Sequence, residues 1–201
     1  TEAWFKLIGK FNAYNLLAVY GTAILLGEEK EDILLQRSTV QPPDGRFEQI
    51  ISPERKVGIV DYAHTPDALD NVLSTIQELR EGDEQVITVI GCGGNRDKGK
   101  RPLLAKIAVE LSDFVFLTSD NPRKEDANEI IADMWAGIPI SKQKKVKILP
   151  NRHDAIREAV RLAKSKDIIL IAGKGHENYQ DIDGVKHHFD DKEELRKAFS
   201  G

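Results

Sequence analysis

The sequence predicts an α/β domain with a mostly parallel, doubly wound sheet. Two observations support this prediction. From residue 57 onward, apolar β-branched runs alternate with amphipathic helical patterns, which is typical of repeated strand–helix units. The apolar runs are hydrophobic throughout and not at every second position, as in strands that helices cover on both faces. The expected layout is therefore Rossmann-like.

Each element follows from its local pattern. The predicted strands cover residues 57–60, 86–90, 114–117, 146–149 and 168–171, and the predicted helices cover 66–80, 102–112, 125–136, 152–165 and 191–199. In the second of these helices Pro102 suits the first helical position. Its apolar face is expected to consist of Leu103, Leu104, Ile107, Ala108 and Leu111. Asp183-Gly184 predicts a C-terminal hairpin.

The first part of the chain has a different organisation. Residues 4–8 predict a short strand, and residues 12–26 predict a helix with Asn12 as its N-cap. A charged stretch follows at 28–32, and residues 41–48 are rich in turn formers. Because the chain begins at Thr1 within apparent structure, we expect it to be a fragment of a longer protein.

Composition narrows the class of function. The chain has 201 residues and a net charge of −4, which argues against a nucleic-acid partner because phosphate backbones attract basic surfaces. No segment has the pattern of a signal peptide or a membrane span. The single cysteine, Cys92, favours a reducing compartment, so a cytoplasmic location is expected.

Polar clusters follow four of the predicted strands. They begin at Asp61, Gly91, Ser119 and Gly173, respectively. Because the carboxyl ends of parallel strands meet at one edge of the sheet, a ligand site is expected there. Short turns and helix caps would explain one such cluster more easily than four.

The glycine-rich turn after the second strand is not a mononucleotide P-loop. Residues 94–100 match the spacing G-x-x-x-x-G-K, but Arg101 stands where the motif needs Ser or Thr for magnesium. The turn carries four cations, Arg96, Lys98, Lys100 and Arg101. Guanidinium groups and backbone amides suit a carboxylate or a phosphate. A solvated basic turn is the plainer alternative.

Two further clusters complete the pattern of an amino-acid site. Asp120, Asn121 and Pro122 are explained by a helix cap, but Arg123 is not, and an arginine can grip a carboxylate through two parallel hydrogen bonds. Glu177 could hold an ammonium group. His176 is either a site residue or a packing residue, and no Cys/His spacing indicates zinc.

Six motifs together resemble one family. In chain order they are Gly9-Lys-Phe-Asn12-Ala-Tyr-Asn15, Asp44-Gly-Arg46-Phe-Glu48, Asp61-Tyr-Ala-His64-Thr-Pro66, Gly91-Cys-Gly-Gly-Asn-Arg96-Asp-Lys-Gly-Lys-Arg-Pro102, Asp120-Asn-Pro-Arg123 and Gly173-Lys-Gly-His-Glu177. The chain resembles the C-terminal part of MurE-type Mur ligases, which add diaminopimelate to UDP-N-acetylmuramoyl-L-alanyl-D-glutamate. The resemblance covers essentially the whole chain.

The resemblance implies ATP-dependent amide-bond formation in peptidoglycan synthesis. ATP phosphorylates the D-glutamate side-chain carboxylate, and the amine of the diamino acid attacks the acyl phosphate through a tetrahedral intermediate. Residues carried over to meso-diaminopimelate binding are Arg96, Asp120, Asn121, Arg123, Gly173 and Glu177. Residues carried over to ATP binding are Asn15 for adenine, Arg46 for phosphate, Asp61 for ribose, and His64 near the nucleotide.

The resemblance also implies a division of labour with segments outside this chain. Residues 1–32 are expected to be the tail of a central ATP-binding domain, and residues 33–201 the third domain. The P-loop, the Mg²⁺ ligands and a carbamylated lysine belong to the family's central domain, and the UDP sugar binds to its first domain. ATP and Mg²⁺ are therefore expected in the full-length enzyme, and ligase activity is not expected from this chain alone.

Several alternatives remain open on the sequence. Lysine-adding ligases usually lack the arginine of the Asp-Asn-Pro-Arg motif, and folylpolyglutamate ligases are more distant relatives. A stand-alone amino-acid or nucleotide-binding module without catalysis is the alternative from another class. A P-loop hydrolase that uses residues 94–100 is a further alternative, and the missing Ser or Thr argues against it.

Overall fold

The computed structural model describes residues 9–38 and 43–201, in two units, Thr1–Pro43 and Asp44–Gly201. The first unit contains helices α1 (Lys10–Leu25) and α2 (Lys30–Ser38). The predicted strand at 4–8 lies outside the described residues. The predicted domain boundary at 32/33 falls within α2 and stays a prediction.

Two expectations for the first unit were wrong. Helix α1 begins after Gly9, which is the N-cap with a φ of 94°, and not at Asn12. Asn12 already lies in the first turn, where its amide donates to the Gly9 carbonyl at 3.1 Å. Helix α2 was not predicted from its charged sequence. Its first turn contains Glu31 and Asp32, whose charges complement the helix dipole.

The second unit is built on a six-stranded sheet in the order β1-β2-β6-β3-β4-β5. The strands are β1 (Glu48–Ile51), β2 (Val57–Asp61), β3 (Val86–Cys92), β4 (Phe114–Ser119), β5 (Val146–Ile148) and β6 (Ile168–Ala172). Only β1, an edge strand that was not predicted, runs antiparallel to its neighbour. The predicted mostly parallel sheet is confirmed.

Helices cover both faces of this sheet. They are α3 (Pro66–Leu79), α4 (Lys100–Leu111), α5 (Ala127–Trp135), α6 (Arg152–Leu162) and α7 (Asp191–Ser200), with a 3-10 helix at Ile140–Lys145. Helix α4 packs between α3 and α5, whereas α6 packs on α7. The predicted hairpin at Asp183-Gly184 is also present, formed by β7 (Tyr179–Ile182) and β8 (Val185–His188).

The core explains why the central strands are apolar at every position. Each residue of β3 and β6 is buried. Val89, Phe116 and Ile171 belong to a cluster with Ile156 and Ala159 of α6. Because successive side chains of a strand point to opposite faces, the intervening residues supply the core under the other helices.

The apolar face expected for α4 was partly wrong. Leu103 is 52% exposed, while Leu104, Ala105, Ala108 and Val109 are the buried apolar residues. The helix packs on the sheet and on two neighbouring helices, so small residues fill its tightest contacts. Its first residue is Lys100, not Pro102. The proline still lies in the first turn, where an amide hydrogen has no helical partner.

The strand order creates a crevice at the carboxyl edge of the sheet. From β3 the chain moves outward through β4 to β5, and then returns to place β6 on the other side of β3. This reversal is a topological switch point, where ligands of open α/β sheets bind.

Candidate amino-acid-binding site

A cavity of about 230 Å³ lies at this carboxyl edge. It is lined by Tyr62, His64, Gly91, Cys92, Gly93, Arg96, Lys100, Asp120, Asn121, Arg123, Gly173 and Glu177. These residues come from the ends of β2, β3, β4 and β6, so the structure brings together the four polar clusters singled out in the sequence.

The lining carries charges of both signs. Arg96, Lys100 and Arg123 supply cations, and Asp120 and Glu177 supply carboxylates. All six residues expected to bind the diamino acid line this cavity, and so does His64. Such a mixed set of charges is complementary to a zwitterion.

A buried lysine holds the acidic side of the cavity in place. The Lys174 ammonium is fully buried and lies 3.4 Å from a Glu177 carboxylate oxygen and 3.3 Å from Asn121 Oδ1. It also donates to the Tyr179 carbonyl. Asn121 Nδ2 donates to Glu177 at 2.8 Å. This role of Lys174 could not be predicted from the sequence, because nothing in Gly-Lys-Gly indicates that the ammonium is buried.

Arg123 is held in an unusual backbone conformation. Its φ is 53°, in the left-handed region that residues other than glycine rarely adopt. Its Nη1 donates to the Gly94 carbonyl at 2.9 Å. A Cβ on Gly93 would lie 2.8 Å from this nitrogen, so a larger residue at position 93 would displace the guanidinium.

Asp120 sets a similar requirement at Gly173. The φ of Gly173 is 117°, and a Cβ there would lie 2.8 Å from Asp120 Oδ2. Asp120 itself is buried. The carboxylate and the β6 terminus therefore meet too closely for any larger residue at position 173.

A second cluster surrounds the end of β2. The buried Asp61 carboxylate accepts hydrogen bonds from the amides of Phe47 and Ala63, both at 2.7 Å. Burial raises the pKa of Asp61, and these hydrogen bonds and the charge of Arg46 oppose the rise. The Arg46 guanidinium lies 5.8 Å from the centre of the Tyr62 ring, and that ring also contacts His64 and His176.

Three of the four expected ATP-binding residues lie together at the end of β2, and the fourth lies in the first unit. His64 lines the cavity, Arg46 and Asp61 lie around Tyr62, and Asn15 lies on α1 in the first unit. Their roles in ATP binding stay predictions.

Two members of the basic turn are committed to ion pairs. Arg101 is fully buried and donates to Glu125, Asp133 and the Gly93 carbonyl, so it is not available to a ligand. Lys98 lies 3.4 Å from Glu125. Sequence alone could not separate Arg101 from the other cations of the turn, because its carboxylate partners stand more than twenty residues further along the chain.

Three amides of the glycine-rich loop are also occupied. Gly94 N donates to the Asn121 carbonyl at 2.9 Å, Gly99 N donates to Asp97, and Asn95 N donates to Glu125. A phosphate cradle needs free amides that converge. These three amides are therefore not available to a phosphate.

The chemistry of the remaining groups is limited. Burial raises the pKa of the Cys92 thiol to about 12, so this thiol is neutral and a poor nucleophile. In residues 9–38 and 43–201, no cluster of three or more His, Cys, Asp or Glu side chains is arranged to hold a metal ion.

The fold and the cavity define a doubly wound α/β domain with a pocket suited to a zwitterion. The family model described as "Mur ligase, glutamate ligase domain" matches residues 45–175, and the chain belongs to this family. We find no feature of the described second unit that conflicts with this assignment.

Similar proteins carry a more specific name. The chain is 59% identical over 195 residues to the UDP-N-acetylmuramoyl-L-alanyl-D-glutamate--2,6-diaminopimelate ligase of Phocaeicola vulgatus and 60% identical over 191 residues to that of Cytophaga hutchinsonii. These alignments cover 97% and 95% of the chain but only 40% and 39% of the relatives. A solved structure of a ligase with this name superimposes with a TM-score of 0.74 at 42% identity, and the alignment covers 98% of this chain and 40% of the other.

Proposed function

We propose that this chain is the amino-acid-binding part of an ATP-dependent ligase that joins meso-diaminopimelate to UDP-N-acetylmuramoyl-L-alanyl-D-glutamate. The observation that carries the proposal is the cavity in which Arg96 and Arg123 lie with Asp120 and Glu177. The names of the similar proteins support the same substrate.

Three of the charged groups have a defined part in binding. The two guanidinium groups bind the carboxylates of the diamino acid, because the planar guanidinium matches a carboxylate through two parallel hydrogen bonds. Glu177, which is held by Lys174 and Asn121, binds the ammonium group at one of the two amino-acid centres of the ligand. This arrangement fixes the ligand at both ends and directs its other amine outward to the reacting carboxyl group.

The chemical step itself depends on parts of the ligase that this chain does not span. ATP converts the D-glutamate side-chain carboxylate into an acyl phosphate, the diamino-acid amine attacks its carbonyl carbon, and phosphate leaves with the C–O electron pair. The residues proposed for nucleotide contact here are Asn15, Arg46, Asp61 and His64. The chain contributes orientation, which lowers the entropic barrier to attack.

Replacing Arg123 with Ala tests this proposal. In the full-length ligase we expect the KM for meso-diaminopimelate to rise by about ten- to a hundredfold, because a charge-assisted interaction contributes about 1.5–3 kcal/mol. Arg157→Ala removes an exposed arginine from α6 and should leave KM unchanged. Steady-state assays with meso-diaminopimelate and with L-lysine measure both effects.

The same assays discriminate between the alternatives. A wild-type ligase that prefers L-lysine and tolerates Arg123→Ala would be a lysine-adding enzyme. Preference for L-glutamate on a folate would indicate a folylpolyglutamate relative. Binding of the diamino acid without turnover by the full-length protein would indicate a non-catalytic module.

A further inference from the structure

The β7–β8 hairpin lies against the loop that supplies three residues of the cavity. The Arg123 amide donates to the Asp181 carbonyl at 2.9 Å, and the Asp183 amide donates to the Arg123 carbonyl at 2.7 Å. These bonds form a parallel bridge between Arg123 and Ile182. The loop at 120–123 is therefore hydrogen-bonded to β7 as if it were a short neighbouring strand.

Side chains extend this contact to the start of the loop. Gln180 Nε2 donates to the Asp120 carbonyl at 2.7 Å and lies 3.4 Å from Ser119 Oγ. The Asp181 amide donates to Asn121 Oδ1 at 2.8 Å. As a result β7 makes hydrogen bonds to Asp120, Asn121 and Arg123, all of which line the cavity.

The loop needs such support because of its backbone. A non-glycine residue in the left-handed region costs about 1–3 kcal/mol and persists where its surroundings fix it. Arg123 has a φ of 53°. The two backbone hydrogen bonds, one to Asp181 in β7 and one to Asp183 in the turn after it, fix the peptide groups on both sides of this residue. The side-chain amide of Gln180 fixes the same loop at Asp120, three residues before Arg123.

We propose that Gln180 is a positioning residue for the amino-acid pocket. Its side-chain amide, together with the backbone of β7, holds the loop at 120–123 in the conformation that presents Asp120, Asn121 and Arg123 to the ligand. The proposal rests on the proposed function for the identity of that ligand. The residue does not line the cavity and acts only through the loop.

The chemistry of Gln180 allows an isosteric test. Gln180→Glu keeps the size and shape of the side chain but replaces the donor with an acceptor, which repels the Asp120 carbonyl. Gln180→Leu removes the hydrogen bond without adding charge. His187 stands directly opposite Gln180 on β8 and is exposed, so His187→Ala is the matched control within the same hairpin.

The first readout is the kinetics of the full-length ligase. For both Gln180 variants we expect the KM for meso-diaminopimelate to rise by about tenfold, the equivalent of one hydrogen bond at about 1.4 kcal/mol. The KM for ATP should stay unchanged, and the preference over L-lysine should shrink. A general loss of structure would instead lower the apparent kcat and leave both KM values unchanged. His187→Ala should match the wild type.

The second readout is amide hydrogen exchange in this chain, which needs no ligand. Gln180→Glu should speed exchange at the Arg123 and Asp183 amides and leave the amides of β3 unchanged. Unchanged exchange at these two amides, or an unchanged KM for the diamino acid, overturns the proposal. If the wild-type ligase rejects diaminopimelate while Arg123 exchange still rises, the proposed substrate is wrong and the positioning role of Gln180 stands.

Discussion

At the scale of single residues, buried cations set the geometry beneath the site. Arg101, Arg152 and Lys174 are all fully buried. Each is paired with a carboxylate: Glu125 for Arg101, Asp191 for Arg152 and Glu177 for Lys174. A buried charge is tolerated only when it is paired and hydrogen-bonded. These pairs therefore fix the loops around the cavity more firmly than exposed ion pairs could.

Glu125 should make stability depend on pH. Hydrogen bonding to Arg101 and to the Asn95 amide lowers its pKa from 4.5 to about 2. A carboxyl group whose pKa is lower in the folded state stabilises that state at pH values above its unfolded-state pKa. This stabilisation is lost as the pH falls toward the folded-state pKa. We expect Glu125→Gln to reduce the free energy of unfolding at neutral pH.

Denaturant titrations of both proteins over a pH series measure this effect. The difference between wild type and Glu125→Gln should be constant above about pH 5 and should disappear as pH approaches about 2. A difference that stays constant down to the lowest pH would show that the charge of Glu125 does not contribute to stability.

Sequence patterns found the pocket residues but not their supports. Arg96, Arg123 and Glu177 could be predicted because each follows an apolar strand, and the carboxyl ends of parallel strands share one edge. Lys174 and Gln180 could not, because their roles depend on carbonyl and carboxylate partners that only the folded chain brings near.

At the scale of elements, one ion pair joins α6 to α7. Arg152 at the start of α6 donates to both carboxylate oxygens of Asp191 at 2.7 Å, and it also donates to the Ala172 carbonyl at 3.1 Å. Both side chains are fully buried. The pair therefore links two helices to the end of β6, next to Gly173.

Replacing one partner of this pair should be costly. We expect Arg152→Met to lower the free energy of unfolding by about 3–5 kcal/mol, because it leaves a buried carboxylate unpaired. The double variant with Asp191→Leu should lose less than the single variant. Lys147→Met, at a more exposed ion pair with Glu158, should cost at most about 1 kcal/mol. Additive losses in the double variant, measured by chemical denaturation, would contradict this role.

Elements were predicted best where the pattern was long and apolar. Strands β3 and β6 are buried along their whole length, so burial favours apolar residues at most of their positions. Strand β1 was missed because its four residues alternate between partly buried and exposed at the sheet edge. Helix α2 was missed because a charged stretch is also typical of a linker. The acidic residues of its first turn favour a helix only through their interaction with the helix dipole.

At the scale of the whole molecule, this chain covers about two fifths of the length of its diaminopimelate-ligase relatives. None of the helices in the described ranges is long and apolar enough to cross a membrane. The described second unit holds a cavity lined by charges of both signs. The expected division of work between this unit and the segments that the chain does not span stays a prediction.

The most direct test is an NMR titration of this chain with meso-diaminopimelate. We predict saturable shifts at the amides of Gly93, Asn121 and Gly173, and binding weaker by about tenfold or more for L-lysine, which lacks the second carboxylate. Equal binding of the two amino acids, or shifts confined to residues outside the cavity, would contradict the assignment of Arg96, Arg123 and Glu177 to a diamino-acid pocket.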